Sequence, residues 1–441
     1  MASSSYQAPR GTRDLYPENL AVIRHLERTA SRLSRAFGYS EIRPPLFEET
    51  GLFLRSLGET SDVVSKEMFT VPRRGKANDA SSSVTGYTFR PEGTAGVARA
   101  YVNGGFAQRA PLQKWFYVGP MFRYERPQKG RERQFTQFGI EAFGAASPTL
   151  DAEVVDLCMR FFEEIGFGDE LEVRVNTMGD PSDRDRWCEA LRQFFAPRVA
   201  ARCSDCQERF ERNVFRLLDC KNKACQDDNE GSPALSEVLG VDAQTHQTDF
   251  LKALQALGRK PVVDPTIVRG LDYYTRTVFE VHYPQLGARS ALCGGGRYDG
   301  LVEEFGGPHT PAVGVAIGFT ATELAMAELG LDESAAVQSI AAESIPVAYC
   351  VSITPDDRPH ALALAGRLRT HLAAAVVCDH REKSPKAQFK EANKLGVRFV
   401  LVVGPDERAA GQVVVRDMQT RDETRVELLQ IAAHLAAATE A

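Results

Sequence analysis

The sequence predicts an α+β chain: an antiparallel sheet flanked by helices, interrupted by a helical insertion and followed by a separate α/β domain. Three observations carry this. Two aromatic-rich runs, KWFYVGPMFRYE (Lys114–Glu125) and RQFTQFGIEAFG (Arg133–Gly144), flank the polar, Pro- and Gly-marked loop RPQKGRER. Strand, basic loop and strand in succession make an antiparallel hairpin rather than a βαβ unit. From about Asp180 to Lys260 the chain turns charged and helical in pattern and holds a cysteine cluster. Toward the C-terminus strand-like and helix-like runs alternate, as in a compact α/β domain. The expected boundaries are residues 1–330 for the first domain, with about 180–260 inserted, 331–345 for a linker and 346–441 for the last domain.

The elements follow in order. Over Ala21–Phe37, Val22, Leu26, Ala30, Leu33 and Phe37 fall on one helical face, and Gly38 supplies a stop. In GYSEIRPPLFEE, Pro44 and Pro45 forbid helix and suit a sheet edge or strand end. After the hairpin and the helical insertion, PTIVRGLDYYTRTVFEVHY and AVGVAIGF read as strands. GLDESAAVQSIAAES (Gly330–Ser344) is small and polar, as a linker is. Then VAYCVSI and AAVVCD are strands, ALALAGRLRTHL and KAQFKEANKLG helices, the second ending at Gly396. RFVLVVG, QVVVRDMQ and a terminal helix over Arg425–Ala438 complete the pattern.

The chain has 441 residues, too many for one ordinary core, with 43% hydrophobic and 25% charged residues, the profile of a folded globular protein. No run approaches the roughly 20 apolar residues of a membrane span. Met1–Arg10 is Ser-rich and lacks the apolar core of a secretory signal, so a cytoplasmic location is expected. The net charge of −6 argues against a surface that is basic throughout. A local cationic strip remains compatible with it, because salt screens distant charges. Most of the nine cysteines are scattered and read as reduced thiols.

Neither GxxxxGK[ST] nor a GxGxxG opening a helix occurs, so any nucleotide binding uses a different scaffold. Taken alone, the glycines of CGGGRYDGL (Cys293–Leu301) suit a tight turn at a strand end. The hairpin loop sets Lys114, Arg123, Arg126, Lys129, Arg131 and Arg133 against Glu125 and Glu132. That charge suits polyphosphate or an RNA end, since guanidinium binds phosphate oxygens bidentately, and equally suits a solvated hairpin balanced by acids elsewhere.

FRPEGTAGVARA (Phe89–Ala100), WFYVGPMFRYERPQKGRERQFTQFGIEAFG, RGLDYYTRTVFE (Arg269–Glu280) and LCGGGRYDGLV resemble the active-site segments of histidyl-tRNA synthetases, class II aminoacyl-tRNA synthetases. RGTRDLYPE, GYSEIRPPLFEE and the C-terminal α/β region extend the likeness over nearly the whole chain. RGLDYYTRTVFE is the most specific of these, being a signature that separates the histidine enzymes from their class II relatives.

The resemblance implies a cytoplasmic ligase that converts histidine and ATP, with Mg²⁺, to histidyl-adenylate and loads tRNA(His). It implies that Glu92, Thr94 and Gln137 hold the α-amino end. Glu141, Tyr273, Tyr274 and Tyr298 surround the imidazole, where a carboxylate and a phenol select which ring nitrogen carries the proton. Arg123 contacts the α-phosphate, Arg269 bridges the histidine carboxylate and that phosphate, and Gln128 and Arg133 approach the RNA acceptor end. Adenylation is then positioning plus cation stabilisation, with no side-chain nucleophile. The resemblance further implies a homodimer contacting through Ala21–Glu48, and a C-terminal domain (346–441) that binds the anticodon. Lys383, Lys386, Lys390 and Lys394 lie on or near one of its helices, facing RNA or plain solvent.

One position departs from the pattern. In PAVGVAIGFTATELAM, Gly314 and Gly318 match the glycines of the last class II motif, but Ala321, between Thr320 and Thr322, stands where the family has an arginine. Alanine neither stacks on adenine nor binds phosphate. Losing one such cation costs several kcal/mol of transition-state binding unless another side chain supplies it. Either a working synthetase supplies the charge from another position, or the chain is a histidine-binding regulatory or paralogous protein with impaired adenylation; a further alternative is an RNA-binding paralogue that uses only the C-terminal domain. Finally, Cys203, Cys206, Cys220 and Cys225, spaced C-x2-C-x13-C-x4-C, resemble a structural zinc site, although cysteines of an inserted module can also be plain reduced thiols. Cys158, Cys188, Cys293, Cys350 and Cys378 read as isolated.

Overall fold

The computed structural model describes residues 6–57, 64, 67–72, 86–218, 220–267 and 273–440. These form two compact units, the larger comprising the chain up to Leu15 and Val22–Ser334, the smaller Tyr16–Ala21 and the chain from Ala335. No helix among the described residues is long and apolar enough to cross a membrane.

Helix α1 spans Leu20–Ala36, with Leu26, Ala30 and Leu33 buried as their spacing requires, and the chain reverses at Gly38 (φ +80°). Strands β1 (Ser40–Glu41) and β2 (Phe47–Glu49), helix α2 (Thr50–Leu57), then β3 (Phe69–Pro72) and β4 (Gly86–Phe89) follow. Strands β2, β4 and β3 make a small antiparallel sheet. Helix α3 (Thr94–Asn103) leads to the hairpin of β5 (Gln113–Phe122) and β6 (Gln134–Phe143). It pairs continuously from Gln113 opposite Phe143 to Phe122 opposite Gln134. Helix α4 (Pro148–Glu164) starts on Ser147, whose hydroxyl accepts from the Thr149 N–H, with Pro148 in the first turn, where no N–H is needed.

After β7 (Glu172–Thr177) comes the helical stretch: α5 (Pro181–Phe195), α6 (Ser204–Arg212), α7 (Lys223–Asp227) and α8 (Val241–Ala256). An Asp180–Asp183 capping box opens it. Trp187, Leu191, Phe195, Val214 and Leu217 form its core, joined by Ile267, Tyr274 and Val278. The chain returns through β8 (Val262–Val263), β9 (Thr275–His282), β10 (Ala291–Arg297), β11 (Ala312–Gly318) and helix α9 (Phe319–Leu329).

The main sheet among the described residues runs β1-β5-β6-β11-β10-β9-β7-β8. Its six inner strands are antiparallel, as expected, but the two-residue edge strands β1 and β8 pair parallel, so the sheet is mixed. One face is closed by apolar helices: Phe138 packs on Phe161 of α4 at 5.4 Å, and Phe161 stacks on Phe319 of α9 at 6.3 Å. Cys158 and Cys293, read as isolated, bring their sulfurs to 3.1 Å between α4 and β10.

In the smaller unit, residues within the small polar stretch form α10 (Ala335–Ala342), with Val337 and Ile340 buried. The unit continues with β12 (Ala348–Ser352), α11 (Arg358–Leu372), β13 (Val376–Cys378), α12 (Pro385–Leu395), β14 (Phe399–Val403), α13 (Pro405–Ala410), β15 (Gln412–Asp417), β16 (Glu423–Glu427) and α14 (Ile431–Glu440). Sheet order is β13-β12-β14-β15-β16, parallel through β14 and antiparallel beyond. The expected terminal helix from Arg425 is corrected here. Arg425 pairs with Val414 on a strand that buries Val426 and exposes its neighbours, and the helix begins six residues later. The edge of β15 offered hydrogen bonds that outweigh local helix preference.

Candidate active site

The second face of the main sheet is polar at its centre. Gln137 and Glu141, four residues apart on β6, point the same way because strand side chains alternate. Tyr117 on β5 lies opposite Gly139, and its ring occupies the space a side chain at Gly139 or Gly93 would need. Gly314 on β11, opposite Glu141, likewise leaves room for the Glu141 carboxyl, which a β-carbon there would strike. The glycine of the last motif is thus a condition for the pocket.

Glu141 is fully buried. One carboxyl oxygen accepts from Thr94 Oγ1 at 2.6 Å and faces the Tyr117 hydroxyl at 3.4 Å, and the other accepts from the Tyr298 hydroxyl. Burial pushes its pKa up to about 8, against the opposing pull of the Thr94 and Tyr298 hydrogen bonds. Gln137 Oε1 accepts from the Gly93 N–H and the Tyr117 hydroxyl, both at 3.2 Å. Glu92, also buried, caps α3 by accepting from the N–H groups of Thr94 (2.6 Å) and Ala95 (2.9 Å). Burial raises its pKa too, and the nearby Arg123 lowers it. Tyr273 packs edge-on against Tyr298 at 5.6 Å and lies tilted against Tyr274 at 4.7 Å. Tyr298 directly follows Arg297, a buried guanidinium paired with Asp151 and, at 3.0 Å, with Asp299, which pins the β10 end.

Glu92, Thr94, Gln137, Glu141, Tyr273 and Tyr298 therefore converge, and Tyr274 backs Tyr273 from the helical module. Arg123 stands at the rim: its Nε donates to the Pro91 carbonyl at 2.9 Å and its guanidinium lies 5.2 Å from the Phe135 ring. Gln128 sits exposed in the tight hairpin turn, exchanging backbone hydrogen bonds with Arg131. Arg133 is turned onto the N-terminal segment, its Nη1 donating to the Arg10 carbonyl at 3.4 Å and its guanidinium 4.1 Å over Tyr124. Arg269 lies outside the described residues. Tyr117 was not singled out by sequence, since its partners come from strand register; the glycine across the pair was the available signal.

Ala321 is exposed in the first turn of α9. Arg13 reaches this helix, but its charge is engaged by Glu132 at 3.1 Å and by Glu323.

Chemically, the pocket pairs a protonatable buried carboxyl ringed by hydroxyls with a second carboxylate and a rim guanidinium. That suits a small ligand carrying a ring N–H, an ammonium and an anionic end.

Residues 11–321 match the family described as histidyl-tRNA synthetase, and residues 347–437 the one described as anticodon binding domain. A histidine–tRNA ligase of Fervidobacterium nodosum is 40% identical over 422 residues, 96% of each chain. One of Desulforudis audaxviator is 42% identical over 430 residues, 97% of each. The crystal structure of apo histidyl-tRNA synthetase from S. aureus is 32% identical with a TM-score of 0.80, covering 98% of this chain and 100% of that one. With a full-length likeness of this strength, the chain belongs to the histidyl-tRNA synthetase family of class II aminoacyl-tRNA synthetases.

Proposed function

We propose that this chain activates histidine with ATP to histidyl-adenylate and transfers the histidyl group to the 3′ end of tRNA(His). The observation that supports this most is Glu141, a buried carboxyl with its pKa near 8 and three hydroxyls around it. An imidazole N–H satisfies that carboxyl, and the tyrosine hydroxyls fix the tautomer. An apolar side chain of similar size leaves these groups unpaired and is rejected. Glu92, Thr94 and Gln137 take the α-ammonium, with Tyr273, Tyr274 and Tyr298 walling the ring.

The histidine carboxylate oxygen then attacks the α-phosphorus of ATP and pyrophosphate leaves. Two anions must meet, so cations lower the barrier: Arg123 on the α-phosphate, Arg269 between phosphate and carboxylate, and Mg²⁺ carried in with ATP. In the second step a hydroxyl of the terminal ribose attacks the adenylate carbonyl and AMP departs. Gln128, exposed at the hairpin tip, and Arg133 approach that RNA end.

The catalytic domain is residues 1–330 with about 180–260 inserted, 331–345 is the linker, and 346–441 binds the anticodon. A shallow groove of about 680 Å³ in the smaller unit, lined by Lys386, Lys390 and Arg416 beside Phe389 and Met418, supports RNA contact there. The enzyme is a cytoplasmic homodimer joined through Ala21–Glu48; exposed Leu46 and Phe47, next to Tyr87 and Val71 on the small sheet, support such a contact.

Histidine-dependent exchange of labelled pyrophosphate into ATP is the test. Exchange with magnesium, largely removed by Arg269→Ala while tRNA binding persists, is expected. Histidine binding with no exchange would sink the ligase reading in favour of a regulatory protein.

A further inference from the structure

We propose that Cys203, Cys206, Cys220 and Cys225 form a structural zinc site that staples the helical module behind the tyrosine wall of the pocket. The four sulfurs lie within 4.8 Å of one another, and Cys203 Sγ is 3.7 Å from Cys220 Sγ. A tetrahedron with zinc–sulfur bonds of about 2.3 Å has sulfur–sulfur edges of about 3.8 Å, so the four thiols stand at ligating separations.

They come from three separate stretches. Cys203 and Cys206 lie at the start of α6, Cys220 follows the turn Val214–Leu217, and Cys225 lies in α7. Cys206, Cys220 and Cys225 are buried and Cys203 is partly so. Thiols are weak hydrogen-bond partners, and cysteines serving only as packing have no reason to converge head to head from three segments.

The surroundings fit a negatively charged centre. The Cys203 N–H points at Cys225 Sγ at 3.4 Å. The Arg202 side chain, 2% exposed, ties the same loops by donating to the carbonyls of Leu217 (3.2 Å) and Cys225 (3.0 Å), while its buried Nε has no partner of its own. Its guanidinium is also paired with Asp228 at 2.7 Å, so Arg202 acts chiefly by fixing the loops that carry the thiols, as outer-shell groups of metal sites do. Four thiolates with no open position make a closed site, which has a structural and not a catalytic role.

The position matters to the pocket. Cys206, Cys220 and Cys225 share one apolar cluster with Trp187, Leu217 and Tyr274, and Tyr273 packs against it. Releasing the metal therefore loosens the wall formed by Tyr273 and Tyr274. That consequence rests on the proposed histidine pocket; the metal site itself does not.

Elemental analysis of the full-length protein, purified without chelator under reducing conditions, should find about one zinc per chain, with an X-ray absorption shell of four sulfurs at about 2.3 Å. Cys206→Ser and Cys203→Ser should each lower the zinc content and raise KM for histidine severalfold with a smaller change in kcat. Should either variant fail to fold, titration of the wild-type protein with a mercurial while released zinc is read by a dye gives the same answer. A chain that holds under a tenth of a zinc ion and takes up none on titration, or that binds iron, or whose four cysteines are paired as disulfides, would overturn the proposal. Zinc at full occupancy in a chain without pyrophosphate exchange would uphold the site while sinking the ligase reading.

Discussion

The two large sheets of this chain are built on opposite plans. In the smaller unit both faces are sealed by apolar side chains: Leu364, Leu368, Ile431 and Leu435 cover one face of the sheet against Leu401 and Val403, and Ala392 and Phe389 cover the other against Tyr349, Val351 and Val400. In the larger unit one face is sealed by α4 and α9, while the centre of the other holds Glu92, Gln137, Glu141, Tyr117 and Tyr298 in a buried polar network. Burying carboxyls costs stability unless their oxygens are bonded, and here hydroxyls and helix N–H groups do the bonding. The sealed sheet has no interior to offer a ligand, so the proposed RNA contacts of this unit fall on its surface. The half-open sheet keeps polar groups that the proposed histidine pocket would present to its ligand.

Breaking the polar face should have the largest effect. Glu141→Gln should cut kcat/KM for histidine in pyrophosphate exchange by about 10²–10³-fold, the scale of losing one preorganised polar group, and a change under threefold would refute its role. Gly314→Ala, whose β-carbon meets both the Glu141 carboxyl and the Ile140 backbone carbonyl, should show the same loss together with a lower melting temperature.

Damaging the sealed face should do the reverse. Leu401→Ala, at a fully buried position, should cost about 2–5 kcal/mol of unfolding free energy in the smaller unit, with exchange unchanged. Smaller again is the surface effect: Lys386→Ala with Lys390→Ala should lower the salt slope of tRNA binding by about one per lysine and leave exchange alone.

The last effect is one of pH. Glu141 has its pKa raised from an ordinary 4.5 to about 8, so folding favours its protonated form. Its contribution to stability is complete below pH 4.5 and is lost as pH rises through about 8. The melting temperature of the ligand-free chain should therefore fall over that window, and Glu141→Gln should flatten the fall. An unchanged slope would mean that the carboxyl is ionised throughout.

Much of this was legible along the chain. The hairpin was readable because aromatic residues and a basic Pro/Gly loop signal strand, turn and strand locally. Six of the seven residues matched to histidine binding come together around one carboxyl or its neighbours, with Tyr274 behind them. Arg133 shows what such reading leaves out. Its basic character suggests phosphate, and the structure adds what spacing does not show: the guanidinium lies over Tyr124 and donates to the Arg10 carbonyl, in a segment more than a hundred residues away. The terminal helix begins at Ile431 and not at Arg425, because Arg425–Glu427 end a strand whose partner β15, and not its own composition, decides its conformation.

The sequence by itself determined the family, the strands of the hairpin, the cysteine spacing and the identity of the polar groups that converge in the larger unit, because these depend on residue type and on neighbours a few positions apart. The tertiary structure alone decided that Tyr117 shares the Glu141 carboxyl, that Gly314 must lack a side chain, and that four thiols from three segments close on one point. Each of those depends on register and packing between distant stretches, where a shift of one residue on a strand turns a side chain to the opposite face.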